Sequence, residues 1–203
     1  MLSSTELRWF YPGKLPQAIS NWFASEYLGK ISEPPEKRED IYLYVAADCD
    51  YMGIKLRQGR LEIKWRKAEL GIVNIAKGVE GKLESWDKWC EDSTTKNFQP
   101  QDVIDKSHWV KVSKLRQQRK YQVLEQKVQA VPLNATIDQG CNVELTQLTI
   151  NGNNWWSIAL ETFGASTDNL PIVANKVFSH YNVCSLEAKN SFAYPSWLTR
   201  QFK

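Results

Sequence analysis

Six lysines and arginines fall between Met52 and Lys67 against one glutamate, Glu62, and seven fall between Lys106 and Lys127 against Glu125 alone. These segments carry net charges of +5 and +6 in a chain whose total is +3, so the remainder sums to −8. Such segregation points to a local anion site rather than a generally adhesive surface. Residues 54–66, IKLRQGRLEIKWR, alternate almost without fault. Ile54, Leu56, Leu61, Ile63 and Trp65 fall on one side, and Lys55, Arg57, Arg60, Glu62, Lys64 and Arg66 on the other, if Gln58-Gly59 is a two-residue turn. That register sets Arg57 against Arg60 and Lys55 against Glu62. Like charges facing across a hairpin repel, and a polyanion lying between them would remove the penalty.

Residues 111–123, KVSKLRQQRKYQV, repeat the theme less cleanly. A turn at Gln117-Gln118 would place Arg116 opposite Arg119 and Lys114 opposite Tyr121. Two readings of both hairpins stand: a phosphate-binding lining, or the solvated face of a half-buried sheet. Carboxylates add a third element. The NGNN sequence at 151–154 reads as a turn between strands. A loop at Gly152-Asn153 would set Glu144 against Glu161, a pair able to hold a divalent cation with Glu6 as a further oxygen ligand. A loop one residue earlier would set Glu144 against Ala159 instead.

Around these residues the chain reads as one domain, 1–203. Its length and 42% hydrophobic content allow a substantial core. No apolar run approaches the ~20 residues a membrane helix needs, and the opening MLSSTELRWF lacks the features of a secretory signal, so a cytoplasmic protein with no membrane partner is expected. The four cysteines are widely separated, with no CxxC pair, and read as free thiols. His108 and His180 stand at no metal-ligand spacing.

The elements needed to position the charged faces are mostly strands: 3–11, Asp40–Ala46, Met52–Arg57, Arg60–Lys67, Val110–Arg116, Arg119–Val131, Cys141–Ile150 and Trp155–Phe163, with 76–91 ambiguous between strand and helix. Leu15, Ile19, Trp22, Phe23 and Tyr27 keep helical spacing, and a second helix is expected over Asp168–Tyr181, capped by Thr167 or Asp168 with Pro171 in its first turn. The fold class is therefore mainly β (α+β): an antiparallel closed or nearly closed barrel with a few flanking helices. The helices need an apolar sheet surface to pack on, which favours apolar side chains outside and charged ones inside.

No GxxxxGK[ST], GxGxxG, GxSxG or HExxH sequence occurs. Basic strands interleaved with Trp65, Trp109 and Tyr121 would also suit nucleic acid. The alternation of cations with buried-type residues and the acidity of the remaining chain weigh against that partner. A lipocalin-like carrier would need the opposite orientation, with an apolar interior.

Taken in chain order, several features are similar to the CYTH, or triphosphate tunnel, superfamily. They are Glu6, the Lys55/Arg57 and Lys64/Arg66 pairs, Lys114-Leu115-Arg116, the SIALE strand ending at Glu161 and the closing Ala193–Leu198. The resemblance implies an eight-stranded antiparallel tunnel whose interior cations grip a triphosphate and whose glutamates hold Mg²⁺ or Mn²⁺. It also implies hydrolysis of tripolyphosphate or of nucleoside or thiamine triphosphates, or cyclisation of ATP. It makes Lys55, Arg57, Lys64, Arg66, Lys114 and Arg116 the expected phosphate ligands of a small phosphorylated anion; Arg60 and Arg119, from the opposed arginines of the two hairpins, and Arg8 are further candidates. Glu6, Glu144 and Glu161 are the corresponding metal candidates. The sequence departs from the family at its Glu-x-Glu-x-Lys opening, which reads Glu6-Leu7-Arg8-Trp9-Phe10, and at the late acidic pair, where Ala159 precedes Glu161. Fewer carboxylates mean less control of a metal against the phosphates. A metal-dependent triphosphatase and a non-catalytic binding module both remain open.

Overall fold

In the computed structural model, which describes residues 2–29, 33–91, 108–164 and 169–202, nine strands form one sheet. They are β1 (Leu2–Pro12), β2 (Glu36–Leu43), β3 (Met52–Arg57), β4 (Arg60–Ala76), β5 (Val79–Cys90), β6 (Trp109–Leu124), β7 (Lys127–Val131), β8 (Gly140–Ile150) and β9 (Asn153–Phe163). The order β2-β3-β4-β5-β1-β9-β8-β6 closes on itself because β6 also pairs with β2, and β7 is an extra strand on β6. Every strand pairing is antiparallel, so the mainly β barrel expected from alternation is what the chain forms.

Two hairpin turns set the register on which the interior depends. Gln58 and Gly59 have φ of 50° and 78°, and Asn151 and Gly152 have 48° and 78°. Positive φ at both central residues gives a turn whose twist matches that of the flanking strands. The first turn puts Arg57 opposite Arg60 and Lys55 opposite Glu62, as the alternation predicts. The second is the earlier of the two loops considered, so Glu144 faces Ala159, and Glu161 faces Asn142 on one side and Glu6 on the other.

The structure corrects the sequence reading in several places. No turn interrupts β6 at Gln117-Gln118. Ser113–Tyr121 pair continuously with β8, and Val110–Arg116 with β2. Arg116 and Arg119 therefore fall on opposite faces of one strand. The ambiguous 76–91 stretch is strand, and β4 extends through Ala76 with register shifts after Arg66, Glu69 and Asn74 that bend the long hairpin. The expected caps Thr167 and Asp168 lie outside the described residues.

The outward face is apolar where helices cover it. Helix α1 (Gln17–Phe23) buries Ile19, Trp22 and Phe23, and α2 (Asn169–Phe178) buries Leu170, Val173, Ala174, Val177 and Phe178. Both pack over Leu7, Trp9, Val143, Leu145, Ile158 and Leu160. Inward-facing Phe10, Tyr42, Val110, Val112, Leu148 and Ile150 gather at one end, where the C-terminal helix α3 (Tyr194–Gln201) adds Trp197 and Leu198. The Trp197 indole is fully buried and stacks on Phe10 at 5.1 Å. Past Glu6, β1 no longer pairs with β5. The chain around 186–192 occupies that seam: Leu186 bridges Val79, Ser191 bridges Trp9, and the Phe192 N–H donates to the Arg8 carbonyl at 3.0 Å. One end of the barrel is thereby stoppered, and the interior is a cup. Among the described residues no helix is long and apolar enough to cross a membrane.

Truncating the stopper tests this arrangement. Trp197→Ala should destabilise the protein by about 3–5 kcal/mol, as for other buried tryptophans, measured by urea unfolding. A loss below about 1 kcal/mol would show that α3 does not close the barrel.

Candidate functional site: a cation-rich cup

Above the aromatic stopper lies a cavity of about 240 Å³. Its wall carries eight cations (Arg8, Arg38, Lys55, Arg57, Lys64, Lys88, Lys114 and Arg116) against four carboxylates (Glu6, Glu62, Glu144 and Glu161). Asp40, behind Lys114, and Glu36, at the rim beside Arg116, reduce the excess to two. Inward side chains recur every second residue: Glu6 and Arg8 on β1; Arg38, Asp40 and Tyr42 on β2; Lys55 and Arg57 on β3; Glu62 and Lys64 on β4; Lys114 and Arg116 on β6.

Exposure increases from floor to mouth. Lys114 and Asp40 have 1% and 0% of their side-chain surface exposed, whereas Glu161 and Glu36 have 35% and 41%. At the floor, the Lys114 ammonium donates to Asp40 at 2.8 Å and to the Tyr42 hydroxyl at 2.6 Å, and lies 3.9 Å from the centre of the Tyr194 ring. Asp40 also stands 3.3 Å from Arg57 and 3.4 Å from Arg38. Glu144 accepts from Arg8 at 3.0 Å, Thr146 at 2.9 Å and Arg116 at 3.3 Å. Higher up, Lys55 and Arg57 contact Glu62 at 3.0 and 3.2 Å. Lys64 hydrogen-bonds Glu6 and reaches Glu161 at 3.3 Å.

These neighbours move the ionisations. Burial by itself would raise the Asp40 carboxyl, but Lys114, Lys55, Arg38 and Arg57 together hold it far below the usual range. Glu144 is likewise opposed by burial and held far down by Arg8, Arg116 and Lys114. Burial pushes the Lys114 ammonium well down, with Asp40 resisting. It also lowers Lys55, where Arg57 adds to the effect and Glu62 opposes it. Arg8 Nε and the Tyr194 hydroxyl are buried without a hydrogen-bond partner among the described residues. Both residues line the cup.

Lys55, Arg57, Lys64, Lys114 and Arg116 all line this cavity, together with Arg8. The other three basic candidates lie elsewhere. Arg66, just before the first irregularity in β4, lines a separate cavity of about 310 Å³ and pairs with Asp50, Glu69 and Glu84. Arg60 is exposed at the hairpin end. Arg119 is on the outer face and donates to the carbonyls of Phe23, Ser25 and Gly29. There it satisfies carbonyls left open where α1 ends and complements the helix dipole. Glu6 and Glu161 adjoin, but Glu144 is occupied by two arginines, and among the described residues no three His, Cys, Asp or Glu side chains gather to hold a metal.

Sequence reasoning missed Arg38, Asp40, Tyr42 and Lys88. In EKREDIYL, residues 36–43, Glu36, Arg38, Asp40 and Tyr42 occupy every second position. That alternation is a usable signal, hidden by starting the strand at Asp40. Lys88 falls in the stretch whose spacing is ambiguous between helix and strand.

Asp40 is the counter-ion whose loss should be felt most. Asp40→Asn leaves Lys114 buried without its partner and should cost about 3–5 kcal/mol at neutral pH, read by chemical denaturation. Because the Asp40 and Glu144 carboxyls titrate below their ordinary values, the stability they contribute is complete above about pH 4 and drains away as pH falls further. Wild type should therefore lose stability on acidification more steeply than Asp40→Asn. Equal acid limbs would refute the assignment.

No family model matches the chain, and neither does any curated protein. Among solved structures, the chain is similar to a provisionally assigned adenylate cyclase from Bacillus halodurans, with a TM-score of 0.41 and 11% identity over 92% of this chain and 95% of that one. It is also similar to the Pct1 RNA triphosphatase of S. pombe, with a TM-score of 0.37 and 12% identity over 99% of this chain and 79% of that one. At such distances the functional reading rests on the cup's own side chains. The chain folds as a closed eight-stranded antiparallel barrel with a charged interior, the architecture that its resemblance to the CYTH superfamily implies.

Proposed function

We propose that this protein binds a short polyphosphate, either free tripolyphosphate or the phosphate chain of a nucleoside triphosphate, within the cup. The carrying observation is the wall of eight cations against four carboxylates around a cavity of about 240 Å³. That volume lies below the ~300–1,000 Å³ of pockets that engulf drug-sized ligands. It suits a chain of phosphates, with any nucleoside left at the mouth. The arginines can grip phosphate oxygens bidentately and the lysines act as point charges. Burial penalises the lysine charges in the free cup, and an anion entering among them relieves that penalty. A lipocalin-like carrier fits poorly, because the apolar part of the interior is filled by side chains. The ring of ionic contacts favours a discrete small anion over a nucleic-acid strand, and the reading does not require catalysis.

Tripolyphosphate at ~100 times its dissociation constant should stabilise the fold by about 2.7 kcal/mol, visible as a raised melting temperature. Arg116→Ala removes charged hydrogen bonds worth about 1.5–3 kcal/mol and should weaken binding by about 10- to 100-fold in calorimetry. Unchanged affinity in that variant would place the anion elsewhere.

The pH dependence has a definite sign. Lys55 and Lys114 have lowered ammonium values in the free protein, and a bound anion raises them. Binding should therefore take up protons, and affinity should fall as pH rises through the lowered free-state values. Calorimetry in buffers of different ionisation enthalpy reads the uptake directly. Proton release, or affinity rising with pH, would contradict this reading.

A further inference from the structure

We infer that Lys64 stands where a divalent cation would have to sit, so that the cup takes up its anion without a bound metal. The polyphosphate reading supplies the ligand for this inference, and the wall's own geometry supplies the rest. Glu6 and Glu161 are direct neighbours across the β1–β9 pair and are the two carboxylates best placed to share an ion. The Lys64 ammonium bonds to Oε1 of both. A metal entering there would break both contacts and stand beside an ammonium group whose ion pairs, among the described residues, are with Glu6 and Glu161.

The remaining donors are also committed. Glu144 is held by Arg8 and Arg116, and Glu62 by Lys55 and Arg57. The inward positions two residues beyond Glu6 and two before Glu161 are Arg8 and Ala159, a cation and a methyl group in place of further oxygens. Mg²⁺ keeps several waters and is bound through one or two carboxylates plus phosphate oxygens, so a site here would need Glu6 and Glu161 released from Lys64. With Asp40 and Glu36 counted, the wall keeps an excess of two cations, which offsets part of a polyphosphate's charge directly. An ammonium supplies charge but no coordination sites with which to orient an attacking water. The cup then captures a polyphosphate and holds it, without metal-assisted cleavage.

Calorimetric titration of wild-type protein with tripolyphosphate, in excess EDTA and again in excess Mg²⁺, tests this directly. Excess Mg²⁺ sequesters free tripolyphosphate, so equal or weaker apparent affinity is expected there; binding tightened by Mg²⁺, or seen only with it, would overturn the inference while leaving the proposed function standing. Manganese alone, followed by the electron paramagnetic resonance of free Mn²⁺, gives an independent readout. Wild type should take up no Mn²⁺, whereas uptake that disappears in Glu6→Gln would overturn the inference whatever tripolyphosphate does. Lys64→Met, checked for folding by its melting curve, should weaken metal-free tripolyphosphate binding by about 10- to 100-fold. It should also gain Mn²⁺ uptake through the released Glu6 and Glu161. No tripolyphosphate binding under any condition would sink the proposed function, and the Mn²⁺ titrations would then decide the role of Lys64 by themselves.

Discussion

Cations crowded into a small, poorly hydrated barrel repel one another and lose hydration, and a fold that contains them must provide counter-charge at each one. Here that provision is local and nearly complete. Asp40 serves Lys114, Arg57 and Arg38; Glu144 serves Arg8 and Arg116; Glu62 serves Lys55 and Arg57; Glu6 and Glu161 share Lys64. The arrangement works only if cations and carboxylates on the same strand, on neighbouring strands or, as for Lys64 and Glu161, three strands apart project into the interior at matching height. That requirement ties the register of β1, β2, β4, β8 and β9 together.

The same constraint explains why the interior is divided. Charges occupy the open end, where water and a ligand can reach them, while Phe10, Tyr42, Phe192 and Trp197 fill the other end. A barrel open at both ends would need polar lining throughout or would leave a wet apolar hole. The segment around 186–192 and α3 remove that problem by closing the seam between β1 and β5 and covering the aromatic end. Tyr194 belongs to both halves, stacking on Tyr42 at 5.3 Å while its ring faces Lys114.

A pre-paired interior affects how an anion is held. A polyphosphate, were it to enter the cup, would compete with Glu6, Glu62, Glu144 and Glu161 for the same cations, and its advantage would have to come from multivalency and from relieving the buried lysines. Affinity then depends on phosphate number more steeply than it would in a cup of unpaired cations. On the β1–β9 pair, Arg8 faces Ala159 two residues from the Glu6–Glu161 pair, so that height of the wall carries a cation and a methyl group.

The hairpin of residues 52–66 is legible in the amino-acid sequence alone, because a two-residue turn and strict alternation are both local and leave one register. Alternation also shows that Leu7 and Trp9 share one face of β1 and Glu6 and Arg8 the other, and helical spacing locates α1 and α2. It could not show that β6 runs unbroken through Gln117-Gln118, because the strands that hold it straight, β2 and β8, lie tens of residues away. Nor could spacing decide whether Glu144 met Glu161 or Ala159, since a one-residue difference in turn position changes every cross-strand pair. Asp40 as the shared counter-ion, Arg119 as the partner of α1, and Trp197 as the stopper all depend on barrel closure. Side-chain period assigns residues to a common face, but which face looks inward, and what meets it from across the barrel, is decided only when β6 pairs with β2.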